Sequence, residues 1–451
     1  MKLFWHISLI FGVLLLTQSL FSQTEEEKKI IEISQQAEQL RQAGKTQEAL
    51  TQINEILKKK PVFFGPYYSR ALIYMDSEKF ELAIIDLTKV IELQPNSPLF
   101  YNQRAICYAT IEKYDLAIAD FSKVIKLKPN EFSGYANRGK AYLEYDKYEP
   151  AIIDFSKAIE INPNDLDVYL NRGLAYKLAK KPSQAISDFS KVIELDPKQE
   201  RSYFERGYLY LSDDKVELAL ADANKMIEMD SNSVNGLYFR ADCFVKQEKY
   251  NEALKDYDKV VLLAPKFATN YVARSYLFSK IDDIQSVINE SAKAIEINPK
   301  DFVALNNRGY GYLRQNKIAL AESDITKALL INPKYPLALN NRGLLRLKQN
   351  KLLLALKDIE EAKKLDAEIP EIYLNRGMVY FAQKKYKEAI LEFDKALKLN
   401  PKLAIVYEER AKSYSKLGEI DKSKTDLNKA NQIREDLRKL REKILGEKLE
   451  N

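Results

Sequence analysis

The stretch YANRGKAYLEYDKYEPAIIDFSKAIEINP, residues 135–163, returns 34 residues later as YLNRGLAYKLAKKPSQAISDFSKVIELDP at 169–197. A third copy, YLNRGMVYFAQKKYKEAILEFDKALKLNP, lies at 373–401, a whole number of such steps further on. A fixed period of this length marks an array of stacked supersecondary units and governs every later inference. Proline keeps the register: Pro61, Pro95, Pro129, Pro163 and Pro197 stand 34 residues apart, and the ruler resumes at Pro265, Pro299, Pro333 and Pro401. Ser231 and Ala367 occupy the two empty rungs. With proline at position 32, twelve units run from Ile30 to Leu437 without an insertion or deletion.

Position 8 of the unit is small throughout, as in Ala71, Ala105, Gly139, Gly173, Gly309 and Gly377, and position 20 is almost always alanine. Large residues flank these sites at helical spacing, for example Tyr135 and Tyr142, then Ala151, Phe155 and Ala158. Each unit therefore reads as two antiparallel helices whose backbones approach closely at the small residues. Pro98, Pro336 and Pro370 fall at the first position of a unit, where a helix lacks an amide partner anyway.

The segments YANRGKAY, YLNRGLAY, LNNRGYGY and YLNRGMVY, followed by AIIDFSKAIEINP, AISDFSKVIELDP or AILEFDKALKLNP, resemble the tetratricopeptide repeat (TPR) family. The resemblance covers residues 30–437. It implies an all-α, right-handed superhelical solenoid of about twelve helix-turn-helix repeats, with a concave groove lined by the first helix of each unit. Units one and twelve depart from the pattern as capping repeats do. Unit eight departs too, with Ser275, Val287 and Ser291, and is expected to be locally loosened. Beyond the array, Ile433, Leu437, Leu440 and Ile444 continue a narrow apolar stripe into the charged segment 438–451, which reads as a capping helix or tail or, alternatively, a coiled-coil dimerisation helix.

Position 7, usually an apolar residue in this family, is arginine in eleven consecutive units: Arg70, Arg104, Arg138, Arg172, Arg206, Arg240, Arg274, Arg308, Arg342, Arg376 and Arg410. Position 23 is acidic in the same units: Asp86, Asp120, Asp154, Asp188, Asp222, Asp256, Glu290, Asp324, Asp358, Glu392 and Asp426. Unit one carries glutamine at both places, Gln36 and Gln52. A semi-buried cation needs a partner, and a planar guanidinium can bridge a carboxylate. The expectation is a ladder of Arg–carboxylate pairs between the two helices of each unit, with a polyanion site as the functional alternative. A helical pair between the acid and lysine at position 26 competes, but in unit ten Glu361 replaces that lysine while Arg342 and Asp358 both remain.

Composition excludes much. His6 is the only histidine, and Cys107 and Cys243 share position 10 of units four apart, so they read as small buried residues rather than a disulfide. Histidine-based, metal and phosphate-loop chemistry lack their residues, and no inserted loop offers a site. Hydrolysis by two carboxylates needs no histidine, but no acidic cluster stands out from the regular ladder. The chain thus reads as a non-enzyme, without cofactor or metal. A net charge of +6 over 451 residues gives no basic field of the kind used on nucleic acid.

Function is expected in the groove. The family's clamp for a C-terminal carboxylate resembles Lys at position 5 and Asn at position 9, and no unit has either, as Tyr68 with Leu72 and Leu170 with Leu174 illustrate. Positions 5, 9 and 12 are instead apolar and aromatic, notably Phe204, Tyr208, Leu211, Tyr238, Tyr276, Tyr310, Leu313, Leu344, Leu347, Met378 and Phe381. If exposed, they form a patch for a protein or peptide ligand; the other reading packs many of them against neighbouring helices. The lysines at position 26, such as Lys89, Lys157 and Lys259, read as a solvated convex face.

At the N-terminus, Lys2, the apolar run Leu3–Leu16 and a small-residue site near Ser22 read as a signal peptide over residues 1–22, or as an uncleaved membrane anchor, followed by a charged linker at 23–29. The expected setting is the periplasm or cell envelope of a bacterium. The expected role is a protein-binding scaffold, with a membrane-tethered assembly factor for a secretion, pilus or outer-membrane complex as the alternative.

Overall fold

The computed structural model describes residues 25–59 and 63–449. The segment 1–22, with Trp5 and His6, and the ruler residue Pro61 lie outside them. Among the described residues there are twenty-four helices and no strand, and none is long and apolar enough to cross a membrane. The helices fall two to a unit. In unit four they are Phe132–Glu144 and Tyr148–Ile161, and in unit nine Phe302–Arg314 and Ile318–Ile331. Residues up to Leu209 form one compact body and those from Tyr210 a second.

Local signals end each element. Position 15, after the first helix, has a left-handed backbone in every unit: Gly44 and Gly418 in the end units, and between them non-glycine residues such as Glu112, Asp146 and Lys180 with φ of 60°, 56° and 57°. That turn lets the next amide reach back over the helix end, as Lys113 N donates to Tyr108 O and Lys147 N to Tyr142 O, both at 2.8 Å. At the other end of several units, the position-32 carbonyl accepts the hydroxyl of a tyrosine six residues on. Tyr203 donates to Pro197 O at 3.2 Å and Tyr271 to Pro265 O at 3.1 Å. Ala367 serves Tyr373 equally at 3.1 Å, since the acceptor is backbone.

The core lies between the paired helices. In the first body Ala105, Ala117, Ala151 and Ala185 are fully buried, as are Phe121, Phe155 and Phe189 at position 24. A Cβ on Gly139 would stand 2.8 Å from two ring carbons of Phe155, so the ring lies directly on the bare backbone. The second body repeats this with Gly343 on Ile359 and Gly377 on Phe393. Unit eight is closed rather than loosened. Ser275 and Ser291, both fully buried, replace the small–large pair and bond to each other at 2.9 Å, with Val287 buried beside them.

Within the second body, Lys402, in the turn that ends unit eleven, pairs with Glu248, in the turn inside unit seven. Residues far apart in sequence thereby come together. The second helix of unit twelve does not stop where the array ends, but runs as one helix from Ile420 to Leu449.

Candidate functional site

Where the arrangement is complete, the arginines at position 7 are fixed on three sides. Arg104 donates from Nε and Nη2 to Asp120 at 2.7 and 2.8 Å, and from Nη1 to Thr88 Oγ1 of the preceding unit at 3.0 Å. Its guanidinium also lies 5.9 and 5.8 Å from the ring centroids of Tyr101 and Tyr108, one helical turn to either side. Arg138 and Arg172 repeat the arrangement with Asp154 and Asp188 and with Ser122 and Ser156. Arg70 uses Asp86 and Asn54, and Arg410 uses Asp426 and Asp394. Arg308 holds Asp324, and Arg342 holds Asp358, which Arg346 also reaches at 2.5 Å.

The acids are buried, 2 % exposed at Asp86 and 4 % at Asp188. Burial pushes the carboxyls of these two up, against the opposing pull of Arg70 and Arg172. The carboxylate of Asp86 in turn holds the Arg70 guanidinium above its usual range. Glutamate fits less evenly. Arg274 places both nitrogens on one oxygen of Glu290, at 2.9 and 2.6 Å. Arg376 reaches Glu392 at 3.2 Å and keeps a buried Nε without an acceptor. Lysine at position 26 joins the acid in these two units, Lys293 at 3.7 Å and Lys395 at 3.3 Å. Beside the aspartates of other units it turns to a glutamate three residues on, as Lys89 does to Glu92 and Lys157 to Glu160. So placed, the ladder fastens the two helices of a unit to each other and, through position 25, to the preceding unit.

The predicted groove residues divide between the bodies. In the first, the rings of Phe204 and Tyr208 pack edge to face at 4.8 Å, both half-buried. In the second, Leu211 is half-buried, and Tyr238 packs edge-on against Tyr257 at 5.7 Å with burial pushing its phenol pKa up. Leu313 does not line a groove: at 1 % exposure it belongs to the core with Leu305, Ile325, Leu339 and Ile359. Leu344 and Leu347 pack on the same core, and Met378 and Phe381 on the cluster around Tyr373 and Phe393. Their groove reading is thus reduced to partly covered flanks.

Tyr276 and Tyr310 remain, at position 9 of units eight and nine. Tyr276 is 49 % exposed, and the Lys280 ammonium lies 4.7 Å from its ring centroid. Arg314 donates to the Tyr310 hydroxyl at 3.0 Å and to Asp282 at 2.9 Å, with its guanidinium 5.8 Å from the Tyr310 ring. The arrangement offers aromatic faces edged by cations. Nearby, the far end of the last helix is seated: Ile444 is 1 % exposed in a cluster with Tyr257, Leu277, Phe278 and Ile281. Arg441 donates to the Asp282 carbonyl at 3.0 Å.

Sequence reasoning missed four features: the position-25 acceptors, the aromatic rings beside most of the arginines, the left-handed turn residue, and the seating of the chain end. The first was visible, since position 25 is polar in Asn54, Thr88, Ser122, Ser156, Ser190, Asn224, Asp258, Thr326, Glu360 and Asp394 and fails at Ala292. The last had only the apolar stripe Ile433, Leu437, Leu440 and Ile444 as its signal. Both cysteines are free and buried, and burial raises each thiol to about 12. Among the described residues no group of His, Cys, Asp and Glu is placed to hold a metal ion.

Models of the tetratricopeptide repeat match residues 132–165, 166–199 and 370–403, then 65–97, 99–131, 234–267 and 404–437, and finally 306–368. A search of curated proteins finds no match. Among solved structures, the chain is similar to one in the Cut9–Hcn1 hetero-tetramer of the APC/C, at 14% identity over 92% of this chain and 96% of that one, with a TM-score of 0.48. It is similar to YrrB, described as a TPR protein with an unusual peptide-binding site, at 21% identity over 40% of this chain and 92% of YrrB, with a TM-score of 0.36. MamA from Desulfovibrio magneticus RS-1 matches at 24% identity over 37% of this chain and 94% of MamA, also with a TM-score of 0.36.

Proposed function

The chain belongs to the tetratricopeptide repeat family, and from that premise we propose that it is a non-catalytic scaffold that binds a protein or peptide segment. The surface assigned to recognition is the face of units eight and nine that carries Tyr276 and Tyr310. The observation that supports this reading is the exposure of Tyr276 beside Lys280, with the Tyr310 hydroxyl held by Arg314. Tyrosine supplies contact area with a polar tip at small entropic cost, the chemistry common at protein interfaces. Lys280, Arg314 and Asp282 form a polar rim.

The experiment is cross-linked capture from cell extracts with the full chain beside the Tyr276→Ser/Tyr310→Ser variant, checked for unchanged helicity by circular dichroism. A partner held by the parent and lost by the variant supports the assignment. One held equally by both moves recognition elsewhere and sinks it.

We further propose export, on the apolar run Leu3–Leu16 after Lys2. Mass spectrometry of the native N-terminus separates the two forms: a start near Gln23 means a released scaffold, and a retained segment 1–22 means the tethered assembly-factor reading.

A further inference from the structure

The last helix runs to Leu449, beyond the end of unit twelve at Leu437. A helix that only capped the array would bury its apolar stripe on its own unit, and the first part of this one does, with Ala430 fully covered. The second part goes elsewhere. Leu440, Ile444 and Leu445 join the apolar cluster of units seven and eight, formed by Ala241, Tyr257, Leu277, Phe278 and Ile281. Ile281 is fully buried there. The seat also has a polar edge. Arg441 donates to the Asp282 carbonyl, while the Asp282 carboxylate is held by Arg314.

We propose that residues 437–446 are an intramolecular ligand. The surface at the ends of the first helices of units seven and eight is a docking site for an amphipathic helix with apolar residues at i, i+4 and i+5 and an arginine at i+1. In the isolated chain it is filled in cis. Its partner is a protein helix of the same apolar and basic chemistry, which must displace the chain's own. This rests on the reading of the helical array as a protein-binding scaffold and names the occupant of a site beside Tyr276. A tethered segment competes at an effective concentration of order millimolar, so an external helix meets a site that is mostly closed.

The test uses the full chain, its Leu440→Asp/Ile444→Asp variant, and a fluorescein-labelled synthetic peptide of residues 430–449 read by anisotropy. The parent is expected to bind the peptide at least about 10-fold more weakly than the variant. Hydrogen exchange should show amides 438–446 protected in the parent and released in the variant. Equal binding to both proteins, or binding to neither with helicity intact, overturns the proposal. Arg441→Ala keeps the test open if the double variant unfolds: it should tighten peptide binding by a few-fold, and no change there counts against the cis ligand. A parent that sediments as a dimer, with peptide dissociating it, would put the helix in a second copy and overturn the cis form. Loss of partner capture on Tyr276→Ser/Tyr310→Ser does not depend on these outcomes, so the two readings fail separately.

Discussion

Arg138 and Asp154 meet across the two helices of unit four through a pair of hydrogen bonds, 2.7 and 2.8 Å long, while the remaining Arg138 nitrogen donates to Ser122 of unit three. Asp154 is only 3 % exposed, so these hydrogen bonds replace the water its carboxylate gives up on folding.

Replacing Arg138 by Ala leaves a buried carboxylate without its cation, which costs about 3–5 kcal/mol. Arg138→Leu with Asp154→Leu removes both charges and is expected to lie within about 1 kcal/mol of the parent or above it. Urea unfolding of Arg138→Leu, Asp154→Leu and the double variant measures the coupling. Simple additivity would show that the pair is not the fastening described above.

The left-handed turn residues carry strain that glycine relieves. Lys180, with φ of 57°, should accept glycine with a gain of about 1 kcal/mol, and Gly418→Ala, at φ of 79°, should lose a similar amount. Thermal unfolding reads both, and opposite signs at the two positions are the discriminating result.

A methyl group on Gly377 would stand 2.5 Å from a ring carbon of Phe393, with two more ring carbons within 2.9 Å. Gly377→Ala is expected to cost about 1–3 kcal/mol despite the better helix propensity of alanine. In a Phe393→Leu background the penalty should shrink, which a double-mutant cycle would detect.

Burial holds the thiols of Cys107 and Cys243 at about 12. In the native protein at pH 8 both should react with a thiol-specific disulfide reagent at least about 100-fold more slowly than in urea. A folded pKa raised above the unfolded value of about 8.5 contributes stability below that pH and loses it as pH rises towards 12. Melting temperature should therefore fall across that alkaline window by less in Cys107→Ala/Cys243→Ala than in the parent.

The array and the arginine–acid pairing were legible because both recur at one period. A signal repeated eleven or twelve times along the chain separates itself from local noise, as Arg138 with Asp154 and Arg172 with Asp188 do. Leu313 was misplaced because position 12 was assigned from the unit alone, whereas the residue joins a core that runs through several units. Ser275 and Ser291 looked like defects singly and make sense only as a bonded pair. The seating of Ile444 against units seven and eight had no periodic signal, since it depends on how the second body brings distant residues such as Lys402 and Glu248 together.

A ladder arginine such as Arg138, Arg70 or Arg410 takes its acid from its own unit and asks of the preceding one only a hydroxyl, amide or carboxylate at position 25. Duplicating or excising a whole 34-residue block would leave every acid partner in place, and the new junction would need no more than one small polar side chain. Among units one to five, ahead of the seat of the last helix, the chain can therefore change its span by recombination between blocks with the ladder intact.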